Sequence, residues 1–483
     1  MNREDFFVNR ENILINQEEI ALAEQLVEFI NNSPTPYNVV DNLKKDLLEA
    51  GFDKLDLFDE WKLENGGRYY LEVSSSSIIS FVVEESIGNT SFRIIGSHSD
   101  SPCFKIKPKS EIKIDSGIKL SVESYGGMII SSWFDRPLAI AGRAFVKNTQ
   151  NYFEPKEYII NIKKPLCIIP NLAIHMNPNV NTGLEYNKQN DVMPLVLETG
   201  KRIDSEDYIR EIISEDIRLK YDDTVAIDEI VDFELFLYEY EEGKIIGSKG
   251  EFLSCSRLDN LASVYPSIKS LIKYSQNKLR FSSLYDKELD ENRRKNNEKN
   301  HENLKKSYSI KMAVAFNHEE VGSMSGEGAD SNILANVMER IILALGNGRE
   351  EFLRCLHSSF MISADLSHAV HPNKPEKSDS NHKLIFGGGP AIKTHAGKAY
   401  ATDSFSAAVI KSICNDKNIK YQIFVNRSDM RSGATIGSIV SAKVMLPVVD
   451  IGMPILSMHS IRELGMIKDY VEYYNLMEAF YEK

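Results

Sequence analysis

The stretch Lys311-Met312-Ala313-Val314-Ala315-Phe316-Asn317-His318-Glu319-Glu320-Val321-Gly322 decides how this chain is read. A short, mostly apolar run fits a buried strand, and it ends at a histidine and two adjacent acids. Two neighbouring glutamates leaving such a strand cannot both be buried as free charges. Either both are solvated, or one is neutralised by a metal and the other works as an acid/base. Around this stretch, helix-like segments at 261–273, 331–345 and 404–413 alternate with strand-like ones at 310–316, 360–364 and 422–425. Strands alternating with helices predict an α/β sheet.

Towards the N-terminus, Ile20, Leu22, Leu26, Val27 and Ile30 give one face of an amphipathic helix over 17–32. Ser33-Pro34-Thr35-Pro36 ends it, and a second helix through Leu43, Leu47 and Leu48 stops at Gly51. β-rich runs follow at 78–83 and 92–95, the latter leading into Gly96-Ser97-His98-Ser99-Asp100. From about 105 to 240 helical periodicity is weak. Short alternating strands at 112–114, 120–122, 158–162 and 233–237 are broken by Gly, Asn and Pro. The expected organisation is one α/β domain, residues 1–104 plus 246–483, with a central mixed sheet flanked by helices. A β-rich insertion, residues 105–245, interrupts it.

With 483 residues and 42% hydrophobic side chains, the chain can bury a large core without disulfides. Its five cysteines are scattered, with no CxxC pair, which argues against a disulfide framework and a thiolate zinc site. No signal-peptide core opens the sequence and no run of 18 or more apolar residues could span a bilayer. A soluble, cytoplasmic protein is expected, with no membrane partner. The formal charge is −13, and the one dense charge run, 286–306, mixes both signs with few aromatics. That is a solvated insertion, and nucleic acid is not an expected partner.

HExxH, GxSxG, GxxxxGK[ST] and GxGxxG are all absent from the sequence. What remains is a set of histidines and carboxylates at predicted strand ends: His98 and Asp100, Asp259, Glu319 and Glu320, Asp365, and His459. Each has a bland reading of its own. His98 can be structural, Asp259 with Asn260 can cap the following helix, and the glutamates can be solvated. Collectively they match what a two-metal site needs, which is mixed N and O donors, one shared bridge and a spare carboxylate. Ligands of open α/β sheets also bind beyond the carboxyl ends of strands.

At these residues the sequence resembles the M18 metallopeptidases, the aspartyl aminopeptidase and aminopeptidase I group. The resemblance is carried by GSHSDSPCFKIKP (96–108), YGGMIISSWFDRPLAIAGR (125–143), IPNLAIHMN (169–177), RLDNL (257–261) and NHEEVGS (317–323). MISADLSHAVHPN (361–373), GGPAIK (388–393), SGATIGSI (432–439) and MHSIRE (458–463) continue it. It implies that His98 and Asp365 bind one metal, Glu320 and His459 the other, and that Asp259 bridges them. Glu319 would be the general base and Asp100 would orient His98. The implied cofactor is two divalent ions, zinc by default, with manganese or cobalt also suited. The implied partners are peptides with a free N-terminus and further copies of the chain. The inserted domain would mediate assembly into a homo-oligomer, usually a dodecamer, with His175 reaching a neighbouring subunit's active site. Lys393 resembles the lysine that pairs with an acidic first residue, and neutral first residues are the rival. His368 and His371 are expected around the pocket, whereas His301, His318, His357, His382 and His395 have no assigned role. Asn38, Met128 and Pro137 depart from the usual pattern. Rival readings are a dinuclear phosphoesterase or amidase, and a non-catalytic scaffold.

Overall fold

A computed structural model describes residues 15–115, 117–183, 185–198, 207–221, 223–293 and 306–483. Most of the charged run 286–306 lies outside these residues, as does His301. The helix Gln17–Asn32 begins at Asn16, whose side chain accepts from the N–H of Glu19 while Glu19 reaches back to cap Asn16. The next helix, Pro36–Glu49, opens on a proline, whose missing N–H costs nothing there.

Four strands form the centre of a nine-stranded sheet. In spatial order Ser307–Phe316, Ser91–His98, Phe360–Ala364 and Val448–Gly452 all run parallel. The flanks make the sheet mixed, because Ser77–Ser86 and Ala391–Thr394 pair antiparallel to their inner neighbours. Successive residues point to opposite faces. Ile95, Ala313, Ile362 and Val449 therefore join one core with the helices Gln17–Asn32, Pro36–Glu49, Leu258–Arg293 and Ile467–Tyr481. Ile94, Met312, Met361 and Val448 join another with Ile333–Ala344, Arg349–Ser358 and Ile436–Val444. Helices cover both faces, so the parallel strands read as continuous apolar runs.

A second sheet of six antiparallel strands is built wholly from residues between 103 and 239. Its order is Lys156–Cys167, Leu138–Val146, Ile230–Glu239, Cys103–Ile114, Gly117–Tyr125 and Leu195–Glu198. It has its own core around Phe104, Leu120, Trp133, Ile160 and Leu235. The weak helical periodicity read over this region missed the helix Tyr208–Tyr221, which buries Ile209, Ile213 and Ile217 at intervals of one turn. A third, five-stranded sheet joins Lys244–Ile246, Phe252–Cys255, Glu463–Met466, Pro454–Leu456 and Ser367–His368. Among the described residues no helix is long and apolar enough to cross a membrane.

Candidate metal centre

The four parallel strands end on the same side, and the chain beyond three of them carries the acids and a histidine read from the sequence. His98 is the last residue of its strand, Asp365 follows Ala364, and Glu319 and Glu320 follow Phe316. Asp259 comes from the start of Leu258–Arg293, where it and Asn260 depart from helical geometry. Asp259 Oδ1 and Asn260 Oδ1 accept no hydrogen bond, so neither oxygen caps the helix. His459 stands between the strands Pro454–Leu456 and Glu463–Met466 with φ of 67°.

These six side chains converge. His98 Nε2 lies 3.6 Å from Asp259 Oδ1, 3.6 Å from Asp365 Oδ1 and 4.0 Å from Glu319 Oε2. His459 Nε2 lies 3.5 Å from Asp259 Oδ2 and 3.2 Å from Glu320 Oε1. Most of these separations are too long for hydrogen bonds. They suit pairs of ligands around one ion, since bonds of about 2.0–2.2 Å in a tetrahedron put donor atoms roughly 3.3–3.6 Å apart. Three overlapping groups have ligand atoms within 4.8 Å of one another: His98, Asp259 and Asp365; Asp259, Glu320 and His459; His98, Glu319 and Glu320.

Two observations test whether cations fit. Asp259 Oδ1 and Glu320 Oε1 are fully buried and accept no hydrogen bond. An orphaned buried carboxylate oxygen is costly unless something positive faces it. The acids and the burial together shift the titration of Glu319, Glu320 and His459. Burial, opposed by the facing imidazole and reinforced by Asp259, pushes Glu320 up to about 7. Burial likewise pushes Glu319 well above the carboxylate range, and Asp365 and Glu320 add to it. Burial works against a charged His459, but Asp259 and Glu320 raise it to about 11. The cluster demands positive charge, and divalent ions meet that demand.

A ring of supporting contacts holds the ligands. His98 Nδ1 is 3.0 Å from the carbonyl of Asp100 and 3.4 Å from its Oδ1, so the main chain makes the closer contact. The Asp100 carboxylate accepts from Tyr125 Oη at 2.7 Å and from the N–H groups of Glu319 and Glu320, both at 3.1 Å. His459 Nδ1 lies 2.7 Å from the carbonyl of Gly127. Metal-binding imidazoles are commonly oriented in this way through their second nitrogen. The buried Lys393 ammonium donates to Asp365 Oδ2 at 3.2 Å; burial pushes that carboxyl up, but Lys393 and His98 hold it well below its usual range.

Tyr125, Gly127 and Glu463 were not singled out in the sequence. They lie within the stretches 125–143 and 458–463 that carry the family resemblance, but no role was read for them, because their partners are remote in the chain. His318 departs from strand geometry. Glu319–Val321 form a 3₁₀ turn and His318 is left-handed at φ 62°, so strand alternation does not apply, and its Nδ1 lies 2.7 Å from Ser325 Oγ. His371 receives the N–H of Asn373, and His382 lies against Asp379. His175 is exposed, as are all the residues from 170 to 176. Among the described residues no hydrogen bond or ion pair joins it to the cluster.

A family model described as "Aminopeptidase I zinc metalloprotease (M18)" matches residues 29–289 and 296–481. A Clostridium novyi (strain NT) protein described as "Probable M18 family aminopeptidase 2" is 42% identical over 461 residues, which are 95% of this chain and 98% of that one. Among solved structures, the cryo-EM structure of the Ape4 and Nbr1 complex superposes with a TM-score of 0.86 at 30% identity, covering 98% of this chain and 87% of that one. The S. cerevisiae mApe1 dodecamer shares the fold at a TM-score of 0.75 and 23% identity, with 97% of each chain covered.

Proposed function

Since the chain belongs to the M18 family of zinc metalloproteases and is thus a metal-dependent hydrolase of peptide bonds, we propose that it removes single N-terminal residues from peptides at a centre of two divalent ions. The observation that carries this reading is Asp259, whose two oxygens face two different histidines, His98 and His459. In this reading His98 and Asp365 hold one ion, Glu320 and His459 the other, and Asp259 both. Zinc is the family's ion, and manganese or cobalt would also accept this N and O donor set. Such ions supply Lewis-acid chemistry, acidifying a water and polarising the scissile carbonyl.

The protein's own groups do the rest. Glu319 is the general base, taking a proton from the attacking water and returning it to the leaving amine. Its carboxylate lies 4.0 Å from His98 Nε2, beside the candidate ligands, where such a water would sit. Asp100 fixes its main chain and that of Glu320. A free α-amino group would serve as a further ligand at such a centre, which would direct the enzyme to chain ends. An acidic first residue is the finer reading, supported by the Lys393 ammonium beside the centre. Its existing pair with Asp365 favours the rival, a neutral first residue.

Residues 1–104 and 246–483 are read as the peptidase part and 105–245 as an assembly module. The separate core of the six-stranded sheet supports this, as does the exposure of Leu172, Ile174 and Met176 on the loop that carries His175. The assembly is a homo-oligomer, a dodecamer by analogy with the S. cerevisiae relative, in which His175 serves a neighbour's centre. A cytoplasmic location accords with five free cysteines.

The test strips the protein with a chelator, reloads it with zinc, manganese or cobalt separately, and assays aminoacyl p-nitroanilides alongside a phosphate ester. Aminoacyl cleavage that returns with metal, without phosphoesterase activity, is expected. Glu319→Gln should keep its metal and lose about a thousandfold in kcat. Near wild-type turnover by that variant would remove Glu319 from the base role.

A further inference from the structure

Glu463 opens the strand Glu463–Met466 and is 3% exposed. Its Oε2 accepts from the main-chain N–H of Asp259 at 2.9 Å, and its Oε1 from that of His459 at 2.7 Å. One buried carboxylate thus holds, through both oxygens, the backbones of two residues far apart in the chain. Both belong to the same ligand group, with Glu320. The third sheet explains how they meet. Cys255 pairs with Glu463, so the chain leaving one strand towards Asp259 runs beside the chain arriving at the other from His459. The held segments are not ones the backbone adopts unaided, since Arg257 and His459 have φ of 59° and 67°.

We propose that Glu463 is a positioning residue for the metal centre, a clamp that sets the separation of Asp259 and His459 before any ion binds. The inference rests on the dinuclear reading above. Hydrogen bonds to main-chain N–H groups are directional, and both oxygens of Glu463 are used in them. Both ligand backbones are therefore fixed by one rigid group, and the side chains of Asp259 and His459 need only turn at their own torsions.

The first experiment is Glu463→Gln. Its amide offers one acceptor and one donor, so one of the two N–H groups meets a donor. The stripped variant should show wild-type circular dichroism and a melting temperature within about 2 °C of the stripped wild type. Zinc affinity, measured by competition with a chromophoric chelator, should fall about 10–100-fold for one of the two ions, and excess zinc should restore kcat. Unchanged zinc affinity overturns the proposal, as does a loss of affinity matched by an equal loss of stability in the stripped protein. If the variant does not fold, hydrogen exchange on stripped wild-type protein decides. Slow exchange at the amides of Asp259 and His459 supports the clamp, and fast exchange until zinc is added overturns it. A wild type that binds fewer than two zinc ions defeats the dinuclear reading and this inference with it. Two ions held equally well by the variant defeat the clamp alone.

Discussion

Asp100 shows how a residue that need not touch an ion can govern the site. Its carboxylate gathers the Tyr125 hydroxyl, two main-chain N–H groups and the edge of the His98 ring, so it holds His98 and the main chain of Glu319 and Glu320 together. Tyr125 belongs to the six-stranded sheet, and it supplies the side-chain hydroxyl of the set. Removing that oxygen leaves the two N–H groups in place but unbalances the carboxylate. Tyr125→Phe should lower kcat about tenfold with little change in melting temperature. Steady-state kinetics beside a thermal scan checks this, and an unchanged kcat would mean that the main chain alone holds Asp100. The same residues mark the limit of sequence reading. His98, Glu319 and Asp365 stood out because each ends an apolar strand. Tyr125, Gly127 and Glu463 did not, because their bonds span 25, 332 and 204 positions and leave no local pattern.

The inserted sheet is tied to the helix Pro36–Glu49 through Glu234. This carboxylate accepts from Tyr37 Oη at 2.9 Å, Lys105 Nζ at 3.1 Å, and Arg143 Nε and Nη2 at 2.8 and 2.6 Å. Tyr37 lies on Pro36–Glu49, and the other three on strands of the insert. Burial raises the Glu234 pKa, but Arg143 and Lys105 pull it from 4.5 down to about 2. A depressed carboxyl contributes stability above its unfolded pKa and loses it as pH falls towards the folded value. The side chain is a third exposed, so the contribution is discounted to about 2 kcal/mol. Glu234→Gln should therefore unfold in less urea at neutral pH, with a gap from wild type that stays constant down to about pH 5 and closes from there towards pH 2. A gap that widened in acid would contradict the clamp. At this scale strands and helices with clean periods were legible, including Gln17–Asn32 to the residue. The helix Tyr208–Tyr221 was not, because its burial rests on three isoleucines among charged neighbours. The third sheet was not either, because it is assembled from strands of two to four residues drawn from three separate regions.

At the scale of the whole molecule, two histidines stand in contrasting places. His459 Nδ1 lies against the carbonyl of Gly127 of the same chain, just beyond the strand Gly117–Tyr125, so this part of the chain already contributes to its own candidate centre. His175, from the same part of the sequence, is exposed on a loop that also exposes Leu172, Ile174 and Met176. An exposed apolar loop with a histidine at its middle is a poor solution for a lone chain and a sensible one for a symmetric assembly, where burying the apolar residues carries the imidazole across the interface. If so, His175 and Glu319 of one active site come from different chains. His175→Ala and Glu319→Gln enzymes should each be nearly inactive, yet oligomers co-assembled from equal amounts should recover up to about a quarter of wild-type turnover. That fraction is the chance that a His175→Ala chain, with its own base intact, sits beside a Glu319→Gln chain whose histidine is intact. Co-expression with two affinity tags and tandem purification isolates the mixed species for assay. Activity no higher than the sum of the parents would place both residues in one chain's chemistry, or leave His175 with assembly alone.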